Sequence, residues 1–478
     1  MRATTVAELI ELMQPAEVEL VGDDGPVGPD VVIDSRAATD GALFVAITGE
    51  HVDGHDFARP AVERGAGAVL GTHLTDADVP HILAEDPVRA LSWVARGVVR
   101  RERARGMVSV GITGSSGKTS TKDLLAQVLE AAGPTVAPLG SQNNEIGVPL
   151  TACRVDSETR FLVSEMGARG VGHIAWLTSL VGLDIGVCLN VGQAHVGEFG
   201  SLEVTAAAKS EIVADLPAEG WAVLNADDPR VTAMAALASA RVAWFGEGDL
   251  PDGDLTVTAR GVTLNPLTQA SFELVARFAG QAERSVGVQL GVIGRHQVAN
   301  ALAAAAAALA AGLDLATVGA ALSSATTRSQ WRMELRPRPD GVLVLNDAYN
   351  ANPDSMAVAL STAVELVAGS RAEHPTARAV AVLGDMLELG PTAADLHEEL
   401  GRRAADAGIS EVVAVGEFAG RIVSGALEGG VPARESLRDD VAASLSLSPG
   451  DVVLIKASRG VGLEKVAANL VVRDGAAS

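Results

Sequence analysis

Short apolar runs, separated by polar and glycine-rich segments, recur along the whole chain, as expected of strands buried on both faces of a sheet. Before residue 100, Leu43-Phe44-Val45-Ala46-Ile47 and Gly67-Ala68-Val69-Leu70 predict two short strands among turn-rich stretches, preceded by an amphipathic, acid-bearing helix over residues 1–13. A basic helical stretch over residues 96–105 leads to the next region. From about residue 107 to 328, apolar strands alternate with helices. Strand candidates there are residues 108–113, 161–164 and 184–189, and an alanine-rich helix over 296–311 has side chains small enough for close contact with a sheet. Beyond Trp331, apolar runs at 342–345, 379–383, 412–415 and 452–455 again alternate with helices. The expected fold class is α/β in three domains. These are a small N-terminal α/β module (1–104), a central mostly parallel sheet (105–328) and a C-terminal Rossmann-like doubly wound sheet (329–478).

A chain of 478 residues exceeds what one core supports, in keeping with three domains. Its net charge of −23 disfavours the phosphate backbone of nucleic acid as a partner. Cys153 and Cys188 lie in apolar runs with no metal or disulfide spacing, which suits a reducing compartment. The N-terminus lacks the basic start and apolar core of a signal peptide, and the longest apolar stretch, 299–313, is too short to span a bilayer. A soluble cytoplasmic protein with no membrane partner is expected.

The strand candidate 108–113 runs into Gly114-Ser115-Ser116-Gly117-Lys118-Thr119-Ser120 and then a helix. Small residues let backbone N–H groups converge on phosphates, Lys118 reaches the β/γ oxygens, and Thr119 offers a hydroxyl to Mg²⁺. The spacing is shorter than the usual loop, since Ile112 stands where the first glycine would be. The alternative is an ordinary glycine-rich turn; strand, loop, Lys-Thr and helix in order favour ATP or GTP binding. Polar residues follow the neighbouring strands: Glu165 after one, Asn190 to His195 after the other. In an open α/β sheet these share an edge with the loop.

With these motifs in place the chain resembles the Mur ligases of peptidoglycan synthesis, over all three domains. The phosphate loop in its short form is similar to theirs. So are Asn143-Asn144-Glu145-Ile146-Gly147-Val148-Pro149, Ser164-Glu165-Met166-Gly167-Ala168, residues 346–353 and residues 383–390, which resemble the branch adding D-Ala-D-Ala. Asp34-Ser35-Arg36 and Asp53-Gly54-His55 are similar to the UDP-muramoyl substrate module. The resemblance implies an ATP- and Mg²⁺-dependent amide ligase, acting as a monomer on UDP-MurNAc-tripeptide and D-Ala-D-Ala through an acyl phosphate. One departure stands out: Trp331 occupies the place of a glycine before Arg332-Met333-Glu334, which leaves the local backbone less permissive.

The resemblance also implies roles. Glu165 and His195 become Mg²⁺ ligands, although a carboxylate can be solvated or cap a helix, and a lone histidine more often hydrogen-bonds. Lys209, in Ala206-Ala207-Ala208-Lys209-Ser210-Glu211-Ile212, is carbamylated in the family; otherwise it reads as a surface cation. Carbamylation needs partial burial. His296 and Asn300 share a helix face near the adenine, or else belong to a helix-start hydrogen-bond network. Arg332 and Asp347 reach the nucleotide, Tyr349, Asn350 and Asn352 the nucleotide or dipeptide, and Ser35, Arg36, Asn143 and Asn144 the substrate. Lys456, Ser458 and Arg459 offer a weaker carboxylate site. A folylpolyglutamate synthase-like ligase lacks the separate N-terminal module, and a GTP-driven switch would need an Asn-Lys-x-Asp sequence that is not found. Two spatial expectations follow. Lys118 should be exposed in its loop, and without ligands Arg332 and Asp347 should lie too far from Lys118 to share one ATP, with a hinge near residues 327–330.

Overall fold

In the computed structural model, which describes residues 1–192 and 201–472, the apolar runs pair into three main sheets. The N-terminal sheet has the order Val18–Val21, His81–Ala84, Ala68–Gly71, Leu43–Val45, Val31–Val32, and only its first pairing is antiparallel. The first helix is Val6–Leu12, shorter than the apolar pattern predicts, because Thr5 caps it by accepting from the Glu8 N–H. The helix Pro87–Arg103 begins where Asp86 accepts from the Val88 and Arg89 N–H groups, with Pro87 in its first turn. Leu91, Val94, Ala95 and Val98 form its buried face. Trp93 on this helix meets Trp176 of the central unit edge-on, with ring centroids 5.7 Å apart.

The central sheet has nine strands. The strand Val108–Thr113, which feeds the phosphate loop, lies between Phe161–Glu165 and Ile185–Cys188, parallel to both. Glu165 pairs with Ile112 and Cys188 with Thr113, so the polar ends of all three strands meet at one edge. The far edge is a meander of Leu255–Leu264, Gln269–Phe278 and Arg284–Ile293, joined antiparallel. The expected strand–helix alternation does not contain it. Its sequence alternates with period two instead: Phe272 and Leu274 are buried, Glu273 exposed. The helix Gln297–Ala310 buries Ala303 through Ala308 completely and shares a core with Leu124, Leu125 and Val128 of the helix Lys118–Glu130. Alanine favours the helix and allows that close approach.

The C-terminal sheet runs Glu334–Pro337, Leu343–Asn346, Val452–Lys456, Ala379–Gly384, Glu411–Val415, Ala433–Glu435, parallel except for the first pair. Its chain enters through a segment pinned along the helix Lys118–Glu130. Thr326 and Gln127 exchange two hydrogen bonds, Arg328 grips Glu130 with both terminal nitrogens, and the Ser329 N–H donates to Asp123. Among the described residues, no helix is long and apolar enough to cross a membrane.

Candidate active site between the central and C-terminal sheets

The phosphate loop is held from below. Asn190, at the end of the strand Ile185–Cys188, accepts from the Ser115 N–H through its carbonyl and from the Ser116 N–H through its side chain. Gly117 caps the helix Lys118–Glu130 at φ +80°, and a Cβ there would stand 2.5 Å from Asn300 Oδ1. Glycine satisfies both constraints. Asn300 is thus buried behind the loop, accepting from Thr121 Oγ1 and donating to Gln297. It does not line the cavity, which agrees with the hydrogen-bond-network alternative.

A cavity of about 290 Å³ opens above the loop. Residues 115–120, including Ser120, form its floor, and Glu165, Lys209, Asn143 and Asn144 also line it. The facing wall comes from the C-terminal unit: Arg332, Tyr349, Asn350, Asn352 and Glu388. Lys118 is not exposed as expected. It is half-buried and folded back, its Nζ donating to the Gly114 carbonyl at 2.6 Å. Burial lowers its pKa, with the Glu165 carboxylate opposing and Arg332 adding to the shift.

Glu165 is fully buried, which removes the solvated-carboxylate reading. Its Oε1 accepts from Asn143 Nδ2 at 2.8 Å and Ser141 Oγ at 3.2 Å, while Oε2 is sealed from water with no hydrogen bond among the described residues. Ser141, which the motif pattern does not single out, also lies 2.6 Å from Thr119 Oγ1. Lys209 sits on the helix Leu202–Ala214, only 4 % exposed, so it is no surface cation. Burial, then the nearby Lys118 charge, pushes its pKa down to about 7. Two residues on, Glu211 accepts from the Gly172 and Ala175 N–H groups and so anchors the helix His173–Val181 beside the cavity. That role in the Ala-Lys-Ser-Glu-Ile segment is not visible from spacing. His195 lies outside the described residues.

The expected gap between Arg332 and Lys118 is not found. Arg332 Nη2 donates to Thr119 Oγ1 at 3.2 Å and Ser141 Oγ at 3.1 Å, bridging the two units next to Lys118. A second close approach supports the bridge: a Cβ on Gly192 would meet Asp354 Oδ2 at 2.2 Å. Asp347 is kept from the cavity for a different reason. It accepts from Lys456 Nζ and from the Met333 N–H, buried inside the C-terminal unit. It therefore fixes the turn that carries Arg332, and Lys456 is committed to this ion pair. His296, the first residue of the turn into the central helix Gln297–Ala310, is half-buried within reach of both charges; burial lowers its pKa to about 4, and its Nδ1 has no hydrogen-bond partner among the described residues.

Tyr349 lies under the Arg332 guanidinium at 4.2 Å, and Arg459 stacks on Trp331 at 4.2 Å. Asn352 caps the helix Pro353–Ser370 in a reciprocal pair with Ser355, and Asn144 caps the turn at Gly147. Ser35 and Arg36 lie apart, in the N-terminal unit; Ser35 is buried, and Arg36 is paired with its neighbour Asp34. Ser458 accepts from the Leu387 N–H and so steadies the loop that presents Glu388.

Family models match in chain order: "Mur ligase family, catalytic domain" over residues 30–99, "Mur ligase middle domain" over 112–308, and "Mur ligase, glutamate ligase domain" over 331–459. The UDP-N-acetylmuramoyl-tripeptide–D-alanyl-D-alanine ligase of Mycobacterium tuberculosis (strain H37Rv) is 42% identical, covering 98% of each chain. That of Escherichia coli K12 is 34% identical, again over 98% of each. A crystal structure of MurF from Acinetobacter baumannii aligns with TM-score 0.83 at 29% identity, over 98% of this chain and 99% of the other. MurF from Thermotoga maritima in complex with ADP aligns with TM-score 0.72 at 28% identity, over 92% and 96%. With a phosphate loop and a buried carboxylate on one sheet edge, a buried lysine on a helix beside them, an arginine facing them from the C-terminal unit, and relatives matching over 98% of each chain, the chain belongs to the Mur ligase family.

Proposed function

We propose that this chain is the ATP-dependent ligase that joins D-alanyl-D-alanine to UDP-N-acetylmuramoyl-tripeptide, yielding the pentapeptide precursor of peptidoglycan, ADP and phosphate. The observation that carries the reading is one cavity in which Lys118, Glu165, Lys209 and Arg332 converge from two sheets. A carboxylate resists attack by an amine. Transfer of the γ-phosphoryl group to the terminal carboxylate of the tripeptide gives an acyl phosphate and ADP. The neutral amine of the dipeptide then adds to the acyl carbon and loses a proton, and phosphate departs with the electron pair of the broken C–O bond.

Both steps gather negative charge on oxygen, so positioned cations matter most. Lys118 meets the β/γ oxygens once its bond to the Gly114 carbonyl is exchanged for phosphate. Arg332, at the loop's outer face, supplies a fork of donors to the same group. Asn350 and Asn352, on the opposite wall, are the candidates for orienting the dipeptide. The unpartnered Oε2 of buried Glu165 and the Thr119 hydroxyl are hard oxygen donors that fit Mg²⁺, with His195 as the further candidate. When bound, that ion neutralises phosphate charge. Lys209, with its pKa near 7, holds much of its amine in the neutral form that reacts with CO₂. A carbamate there would add an anion beside the metal.

The reading extends to a cytoplasmic monomer, since ATP and UDP-linked sugars are cytoplasmic substrates and the family resemblance implies a monomer. The test is ADP release measured with UDP-MurNAc-tripeptide and D-Ala-D-Ala, each present or omitted. Release that requires both substrates is expected; release with neither would point to a nucleotide switch.

A further inference from the structure

The reaction fixes which part of the peptide substrate lies nearest the phosphate. The carboxylate that is phosphorylated belongs to the third residue, so that residue's side chain must rest in or beside the cavity. The floor is the phosphate loop, and the C-terminal wall faces the incoming amine. Among the other lining residues, Asn144, Arg169 and His173 form a polar rim on the side of Glu145.

This rim carries a loose cluster of opposite charges. Glu145 Oε1 stands 3.8 Å from Arg169 Nη1, and Glu145 Oε2 stands 3.5 Å from His173 Nε2. Neither contact is a hydrogen bond, and Oε2 is sealed from water with no hydrogen-bond partner among the described residues. The solvent-facing part of the carboxylate is therefore Oε1, next to an Arg169 side chain that is 65% exposed. The backbone around the pair is fixed. Arg169 N–H donates to His173 Nδ1, and Glu211 anchors the turn before His173. Glu145 also borders a second recess, shared with Asp86, Arg89 and Trp176, that leads toward the N-terminal unit. Glu145 thus borders the recess beside the N-terminal unit, while its charged neighbours Arg169 and His173 line the cavity above the phosphate loop.

We propose that Arg169 and Glu145 read the far end of the third residue's side chain, Glu145 taking a terminal ammonium and Arg169 a terminal carboxylate. A cation and an anion held close but not hydrogen-bonded to each other match a zwitterionic end group. A diamino-dicarboxylic acid has both charges there; lysine has only the ammonium. The site accordingly selects a diamino-dicarboxylic third residue over lysine. This rests on the ligase reading above and deepens it.

The experiment measures kcat/KM with two tripeptide substrates, one ending in meso-diaminopimelate and one in lysine, at fixed ATP and D-Ala-D-Ala. Wild type is expected to favour the first. Arg169→Ala should shrink that preference by roughly tenfold, mainly through KM for the diaminopimelate substrate, the modest size reflecting an exposed cation. Arg169→Lys should restore part of it, and Glu145→Gln should raise KM for both substrates. An unchanged ratio in Arg169→Ala, an equal loss on both substrates, or a wild type that prefers lysine would overturn the assignment. A failed ligase reading would look different, because wild type would then release no ADP in response to either tripeptide.

Discussion

Arg332 and Thr119 are 213 positions apart in the chain, yet the guanidinium of one donates to the hydroxyl of the other at 3.2 Å, beside the helix N-terminus that would receive a nucleotide's phosphates. The contact joins the central and C-terminal units at the place where, on the proposed reaction, charge develops during transfer. Lysine has the charge of arginine but not its planar fork, so Arg332→Lys should lower kcat/KM for ATP by about 10–100-fold. Steady-state kinetics would check this, and wild-type values in the variant would remove Arg332 from the site.

Lys118→Ala should abolish turnover while leaving the fold intact. Among the described residues the side chain donates only to the Gly114 carbonyl, so little packing depends on it. Loss of one cation at the transferring group costs roughly 10²–10³-fold or more. Circular dichroism melting should stay near wild type; a variant that keeps ligase activity means the phosphate site is misassigned.

Lys209→Ala should be nearly inactive and partly rescued by a short carboxylic acid in solution, standing in for a carbamate. The motivation is a lysine only 4 % exposed whose pKa is pushed down to about 7. A Mg²⁺-nucleotide crystal structure with an unmodified Lys209 turned toward solvent would count against it.

His296 gives a pH dependence of stability. Burial lowers its pKa from 6.5 to about 4, so between those values the unfolded chain binds a proton that the folded chain does not. The stability from keeping this ring neutral is complete above pH 6.5 and is lost as pH falls toward 4. His296→Leu cannot titrate. The stability difference, wild type minus variant, should therefore decline from pH 7 to 4 in urea titrations; a flat difference would mean that the ring is protonated in the folded protein too.

The phosphate loop and most buried strands were legible because backbone conformation and burial there follow directly from glycine spacing and apolar runs. The departure at Trp331 was legible too, and its cost is now visible: Trp331 has φ +58°, a conformation that suits glycine, and is held there by stacking with Arg459. The roles of Asp347 and Lys456 were not legible. Two charged residues after neighbouring strands look like ligands for a substrate, and only the tertiary fold reveals that they neutralise each other in the interior. The edge meander escaped because its strands alternate instead of running apolar throughout. Arg332's reach across the sheets escaped because no spacing in sequence encodes how two units lie together.

The final prediction concerns motion. Two large substrates must enter a cavity that Arg332 bridges to Thr119, so the C-terminal unit has to swing away for binding and release. The segment through Ser329 cannot be the pivot, because Thr326, Arg328 and Ser329 are bonded to Gln127, Glu130 and Asp123 on the helix Lys118–Glu130. The next residues differ: Trp331 and Met333 both have positive φ, and the bonds that steady them, to Tyr349 and Asp347, travel with the C-terminal unit. The hinge expected at residues 327–330 therefore shifts to 330–333. Small-angle scattering should give a larger radius of gyration without ligands than with a nucleotide analogue plus UDP-MurNAc-tripeptide. Arg332→Ala, which removes the bridge, should enlarge the unliganded particle further. A particle equally compact in all three conditions would sink the hinge while leaving the chemistry untouched.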